Sequence, residues 1–229
     1  MRIVHAMGVD GARRAQGTVV VIDVLRSFTV SAYALAGGAS ECRLVPTTAE
    51  ARALAANTSG AVLSVEEGGL PVAGIAISNS PTMIQAAELN DRVLVQRSSQ
   101  GTVVVAAVPA GHDIFAASLV VARSTVEACM SSDPATITLV ASGDFPEDHA
   151  CARYMEAVCR GESTSLDEWL RPLRESERYR SVRSGTWPGF PPGDLDLALI
   201  PDRFGFAMPV SVEARYHRLT RRDRPSPAS

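Results

Sequence analysis

TVVVIDVLRSFTVSAYALAGGA, residues 18–39, is the stretch whose reading decides the fold. The β-branched apolar run 19–22 ends on an acid, Asp23. Arg26 follows, then a segment with apolar residues at Phe28, Ala32 and Leu35, closed by Gly37-Gly38. A run bounded this way reads as a buried strand, and the spacing after it as an amphipathic helix. Ser27 is placed to cap that helix and the glycine pair to end it. An acid, a guanidinium and a helix N-terminus thus meet at the carboxyl end of a central strand, where open α/β sheets bind ligands. An acid can hold a metal ion, while Arg and helix-terminal amides attract an anion. The competing reading is that Asp23 and Arg26 merely pair and cap a turn.

Working outward, residues 3–5 read as an edge strand inside an otherwise looped segment 1–17. On the other side, 42–45 is a short strand, and Thr47 with Glu50 forms a capping box that opens a helix. Residues 61–65 make the next strand, which ends on Glu66 and Glu67 before Gly68-Gly69. Strands and helices alternating at this spacing imply crossovers and a largely parallel core. Ser80 at N-cap with Pro81 behind it is a strong helix start, leaving Asn79 free for another task. Strand 92–96 runs into Arg97-Ser98-Ser99-Gln100-Gly101-Thr102, a hydroxyl-rich turn before a helix over 102–108 and a plausible anion cradle. It lacks the Gly-Lys-Ser/Thr of a Walker loop. Strands are expected at 113–117 and 136–141, with a helix over 120–130 between them. The second leads to Ser142 through Asp148, where Glu147 and Asp148 fall in a first helical turn, as a macrodipole favours. His149 reads as a surface side chain.

Composition shifts at Arg160. Residues 160–194 are polar and end in TWPGFPPGD, an excursion acting as lid or oligomer arm rather than core; a homodimer is therefore a candidate assembly. A last strand is expected at 195–200, an edge at 204–210, and a basic, frayed tail over 211–229. One α/β domain over 1–210 results, with helices on both faces of a sheet of about six to eight strands.

The chain has 229 residues, 46% hydrophobic and 21% charged, enough for a sizeable core. Its net charge of −3 gives no electrostatic basis for a nucleic-acid or anionic-membrane partner. The start, MRIVHAMGVDGARR, has no leader-like apolar region, and no run is long enough to span a membrane. The four cysteines show no metal-type spacing and read as reduced core thiols of a cytoplasmic protein.

Acids or anion-binding groups follow at least four strands, at Asp23/Arg26, Glu66/Glu67, 97–102 and 144–148. These residue types suit Mg²⁺, which takes one or two carboxylates and shares its remaining positions with water and substrate phosphate. The chemistry is metal-assisted attack on a phosphate ester.

These stretches resemble the 2-phosphosulfolactate phosphatases, the family of the coenzyme M biosynthetic phosphatase, from about residue 19 to residue 209. VIDVLRSFTVSAYALAGGA is very like the family's IDVLRATT…ALA-GA signature. EEGGLPVAGIAISNSP is similar to its GERGG…GF-LGNSP stretch, and RSSQGT takes the place of TTNGT. ASGDFPEDHACARYM sits where the family has its AG…EDxxxAG helix start, and IPDRFGFAMPV matches its C-terminal strand pattern. The resemblance implies an α/β/α fold with a mixed sheet and a Mg²⁺-dependent hydrolase. Departures occur where Val65-Glu66-Glu67 replaces Gly-Glu-Arg, where Gln100 replaces Asn, and after Ser118, where an expected asparagine gives way to the neighbourhood of Val120-Val121. The metal-binding half is retained and the organic-anion half altered.

The expected function is a Mg²⁺-dependent phosphatase acting on a small, doubly anionic phosphate ester, with 2-phosphosulfolactate as the candidate that the resemblance supplies. Asp23, Glu66 and Asp148 are the metal candidates. Arg26, Asn79, Ser80, Arg97, Ser98, Ser99, Gly101 and Thr102 are the substrate-binding candidates. Asp23, Arg26 and Glu147 are the catalytic ones, Glu147 as activator of water by proximity alone. Two rivals remain. A haloacid-dehalogenase-type enzyme would use Asp23 as nucleophile, but the acid expected two residues on is Leu25. A catalytically silent binding or assembly protein would keep the fold and lose the pocket, as Glu67 and Gln100 suggest.

Overall fold

β2 (Thr18–Ile22) is buried at every position. Val19 and Val21 face a cluster with Phe28, Val30 and Leu35, while Val20 and Ile22 face another with Val126, Cys151 and Met155. A strand covered on both faces reads as a continuous apolar run rather than an alternating one. The helices doing the covering are Ser27–Ala36 on one face and Ala122–Met130 with Pro146–Arg160 on the other.

The computed structural model describes residues 1–223. Its other strands are β1 (Arg2–Met7), β3 (Glu41–Leu44), β4 (Val62–Glu67), β5 (Leu70–Pro71), β6 (Val93–Arg97), β7 (Ile114–Ala117), β8 (Thr136–Ala141), β9 (Phe206–Val212), β10 (His217–Leu219) and β11 (Arg222–Asp223). They form one mixed, eleven-stranded sheet in the order β1-β8-β2-β7-β9-β10-β3-β6-β4-β5, with β11 paired to β9. The fold is α/β, as expected, with more strands than the sequence reading counted because β5, β10 and β11 are short. One parallel set is β1-β8-β2-β7 and the other β3-β6-β4. β9 and β10 join them through antiparallel pairings on both sides.

Those three antiparallel steps make the two parallel sets run in opposite senses along the hydrogen-bonded path. Their carboxyl ends nevertheless meet, because the sheet curls around the helix Ser27–Ala36. That helix touches β7 and β3 alike. Ser31 Oγ donates to Gln96 Oε1 of β6 at 2.6 Å, and Gln96 Nε2 donates to the Ser27 carbonyl at 2.8 Å. The expected amphipathic helix is therefore corrected: Ser27 through Leu35 are all buried, as in a helix enclosed on every side. Its serines and threonine survive there because each finds a partner, Thr29 Oγ1 donating to the Val24 carbonyl at 2.7 Å. Ser27 does not cap it. Asp23 does, with Oδ1 accepting from Ser27 N at 3.0 Å. Gly37 and Gly38 end the helix as expected, Gly38 at φ +93°.

Further expectations hold and others fail for definite reasons. The Thr47–Glu50 capping box and the Ser80 cap with Pro81 behind it are both formed. Gly8–Arg13 is helical where a loop was expected. Residues 195–200 are not a strand: Gly193–Ala198 is a helix burying Asp194, Leu195 and Ala198, an i, i+3 or i+4 spacing. β9 is interior, not an edge, and 211–223 is not frayed, since β10 pairs with both β9 and β3. The remainder of the expected tail, 224–229, lies outside the described residues. All four cysteines are free thiols, three of them buried. Among the described residues no helix is long and apolar enough to cross a membrane.

Candidate active site

Where the two parallel sets meet lies a cavity of about 300 Å³, walled by the ends of β2, β4 and β6 and by the excursion after residue 160. Of the predicted site residues, Asp23, Arg26, Glu66, Asn79 and Ser99 line it. Arg178, Trp187, Phe190 and Phe145 also line it, and the sequence reading assigned them no role.

Asp23 ends β2 and is 5% exposed. Its Oδ1 accepts from Ser27 N and its Oδ2 from Gly101 N, each at 3.0 Å. Burial, with the charges of Glu66 and Glu147, pushes its carboxyl up to about 6 against the pull of those two amides. Gly101 is needed for this approach, because a Cβ there would lie 2.7 Å from Asp23 Oδ2. Glu66, from the end of β4, accepts through Oε1 from Ser99 N, and through Oε2 from Gly69 N at 2.6 Å and Ser99 Oγ at 3.2 Å. Both carboxylates keep lone pairs beyond these bonds.

Other predicted residues build walls. Asp148 accepts from Val24 N at 2.8 Å and from Ser142 N and Oγ at 3.2 and 2.7 Å, tying the end of β2 to that of β8. Burial first, then the charges of Asp23 and Glu147, raise its pKa well above the ordinary range. Arg97 spends its guanidinium on the Glu66 carbonyl, on Ser99 Oγ at 3.0 Å and on the Pro46 carbonyl at 3.3 Å. Ser98 and Thr102 cap each other's amides at 3.0 and 3.1 Å, so their hydroxyls are already engaged. Ser80 Oγ caps its helix and donates to Asp194 Oδ1 at 2.6 Å. Asn79, at φ +56°, lines the cavity with its Oδ1 held by Gln96 Nε2 at 2.9 Å. Val120 and Val121 sit in a buried 3-10 turn.

Arg26 is no exposed turn residue: it is 4% exposed, and the Leu25–Arg26 peptide is cis. Its Nη1 donates to the Gly189 carbonyl at 2.7 Å and to Asp194 Oδ2 at 2.9 Å, and its guanidinium lies 3.9 Å over the Phe190 ring. Burial lowers its pKa while Asp194 opposes the shift. Asp194, fully buried, also accepts from Ser80 Oγ and Thr82 N. The excursion is thus part of the site. Its legible signal was the aromatic pair in TWPGFPPGD, since Trp and Phe among prolines and glycines need something to cover them.

Glu147 is fully buried and does not line the cavity; its Oε1 accepts from Arg178 Nη1 at 2.8 Å and its Oε2 has no partner. Among the described residues no three His, Cys, Asp or Glu side chains are grouped to hold a metal ion. Charge is nevertheless unbalanced. Glu147 and Asp194 are paired with Arg178 and Arg26, whereas among the described residues no ion pair meets Asp23 or Glu66. Magnesium demands only one or two carboxylates, so Asp23 and Glu66 fit it.

A family model described as 2-phosphosulpholactate phosphatase matches residues 6–172. A protein of Bacillus subtilis (strain 168) named "Probable 2-phosphosulfolactate phosphatase" is 36% identical over 148 residues, covering 62% of this chain and 64% of that protein. A protein of the same name from Carboxydothermus hydrogenoformans is 32% identical over 140 residues, covering 60% of this chain and 58% of the relative. One from Clostridium novyi is 27% identical over 171 residues, covering 72% and 73%. The first two matches span less than two thirds of those proteins' own length. Arg178, Trp187, Phe190 and Asp194 all lie beyond the span of the family model.

Proposed function

Because this chain belongs to the 2-phosphosulpholactate phosphatase family, we propose that it hydrolyses a small anionic phosphate monoester with the help of Mg²⁺, 2-phosphosulfolactate being the first substrate to try. The observation that carries this reading is the cavity wall itself. Asp23 and Glu66 bring surplus negative charge to the same small space as Arg26. Asp23 and Glu66 are the residues that would hold the cation, which when bound would polarise a phosphoryl oxygen and offset charge.

The chain's own residues supply orientation. Arg26, fixed from three sides by Asp194, Gly189 and Phe190, presents its guanidinium edge to the phosphate. The amides of Ser27 and Gly101 hold the Asp23 carboxylate at one orientation, so no side-chain search accompanies binding. Phe145, Trp187 and Phe190 give the cavity an apolar wall, and charge interactions beside such a wall are stronger than in open water. Asp148 acts from behind the wall, as a strut between β2 and β8.

The test is phosphate release from a panel of small esters that includes 2-phosphosulfolactate, with Mg²⁺ and with a chelator. Chelator-sensitive release from at least one ester is expected. No release from any ester with Mg²⁺ present would favour a silent binding protein, and a stable acyl-phosphate on Asp23 would favour the nucleophile mechanism.

A further inference from the structure

Arg178 comes from the helix Glu177–Arg183 of the excursion, beyond the stretch matched by the family model. Three neighbours hold its guanidinium. Nη1 donates to Glu147 Oε1 at 2.8 Å, Nη2 donates to the Leu25 carbonyl at 3.3 Å, and the group lies 5.0 Å over the Phe145 ring. A guanidinium has more N–H donors than these contacts use, and Arg178 lines the cavity, with 24% of its side chain exposed. Its charge is close enough to Arg26 to act on it, so two cations flank one small cavity. Repulsion between neighbouring cations is relieved when an anionic group contacts both.

Glu147 explains how such a cation is kept in place. A fully buried carboxylate is costly, and a pair whose only task was stability could be replaced by apolar side chains at little loss. Its second oxygen has no partner at all. Trp187, another lining residue, has a buried indole N–H that is also without a partner. Arg178 and Trp187 are thus hydrogen-bond donors that line the cavity from the excursion side, apart from Arg26.

We propose that Arg178 binds a second anionic group of the substrate, a carboxylate or sulfonate carried close to the phosphate ester, and that Glu147 is the positioning residue that holds Arg178 for it. This rests on the phosphate-ester reading above. The small, doubly anionic ester expected from the sequence thus gains a named contact for its second anionic group, inside a cavity of about 300 Å³. Glu147 then has a role other than activating water: it stands behind Arg178 and touches no substrate.

The test is calorimetric titration, in Mg²⁺, of 3-phosphonopropionate, the carbon-bridged analogue of 2-phosphoglycolate that has no ester bond to hydrolyse, and of inorganic phosphate into the full chain. The variants are Arg178→Lys, Glu147→Ala, Glu147→Gln, and the double change Arg178→Gln with Glu147→Gln, which removes the pair without leaving a buried charge alone. The parent should prefer 3-phosphonopropionate to phosphate. The double variant should weaken 3-phosphonopropionate by about 10- to 100-fold, the range of a charge-assisted contact, and phosphate several times less. Arg178→Lys should fall between, lacking the planar fork. Glu147→Ala should lose the preference although Arg178 is intact, and Glu147→Gln, which keeps an acceptor for the guanidinium, should retain it. Equal losses for both ligands, no loss, or no preference in the parent would overturn the role of Arg178. A preference kept in Glu147→Ala would overturn that of Glu147. Binding read this way stands apart from turnover: an Arg178-dependent preference in a protein that hydrolyses no ester would sink the proposed function and leave this inference intact.

Discussion

Arg26 shows what one residue does when its neighbours are known. Its guanidinium and the Asp194 carboxylate form a pair that is 3% and 0% exposed, inside a set of bonds that also takes in Gly189, Ser80 and Thr82. Removing one member of a buried pair leaves the other charged and unpaired, at a cost of about 3–5 kcal/mol. Arg26→Ala should therefore lower stability by that order, read as the urea midpoint, as well as weaken phosphate binding. A midpoint within about half a kcal/mol of the parent's would return Arg26 to the status of an exposed turn residue. From the sequence, Asp23 and Arg26 were legible as a candidate site because an acid and a guanidinium followed an apolar run, and both line the cavity. Asp194 was not, because its partners lie far away in the chain, Arg26 at a separation of 168 residues and Ser80 at 114.

Among the elements, β2 and the capped helices were readable, since each depends on a local pattern: a β-branched run, Thr47 with Glu50, Ser80 with Pro81. The helix Ser27–Ala36 was placed correctly, but its surroundings were misjudged. The spacing of Phe28, Ala32 and Leu35 suggested an amphipathic helix, whereas Ser27, Thr29 and Ser31 are buried too and meet Gln96, the Val24 carbonyl and the Ser27 carbonyl. The C-terminal strands were the hardest, because three residues pairing on both sides leave almost no periodic signal. β10 joins the two parallel sets, hydrogen-bonding to β9 on one side and β3 on the other. A chain stopped after residue 212 should consequently fail to fold cooperatively, with no sigmoidal thermal transition by circular dichroism. A transition like the parent's would mean that this strand is dispensable, as a frayed tail would be.

For the whole molecule, the curled sheet brings together acids from strand ends that its hydrogen-bonded order would set apart, and the cost of burying Asp23 there, with Glu66 close by, appears in its titration. The Asp23 carboxyl is raised from 3.8 to about 6, so the folded state binds its proton more tightly than the unfolded chain does. The contribution of this group to stability is full below about pH 4 and is lost as pH rises through about 6. A cation held by Asp23 and Glu66 would offset that loss. Mg²⁺ should therefore raise the thermal midpoint more at pH 7.5 than at pH 5, read by scanning fluorimetry; an equal or reversed effect would remove Asp23 from the cation site. The claim on which the rest depends is that the end of β2 is where a phosphate ester is hydrolysed. Its most direct test is kcat/KM against Mg²⁺ concentration for the parent and for Asp23→Ala, on whichever ester the parent turns over. Mg²⁺-dependent turnover is expected in the parent and loss of at least about a hundredfold in the variant, roughly the 3 kcal/mol of a charge-assisted contact removed. Undiminished turnover in Asp23→Ala would contradict it.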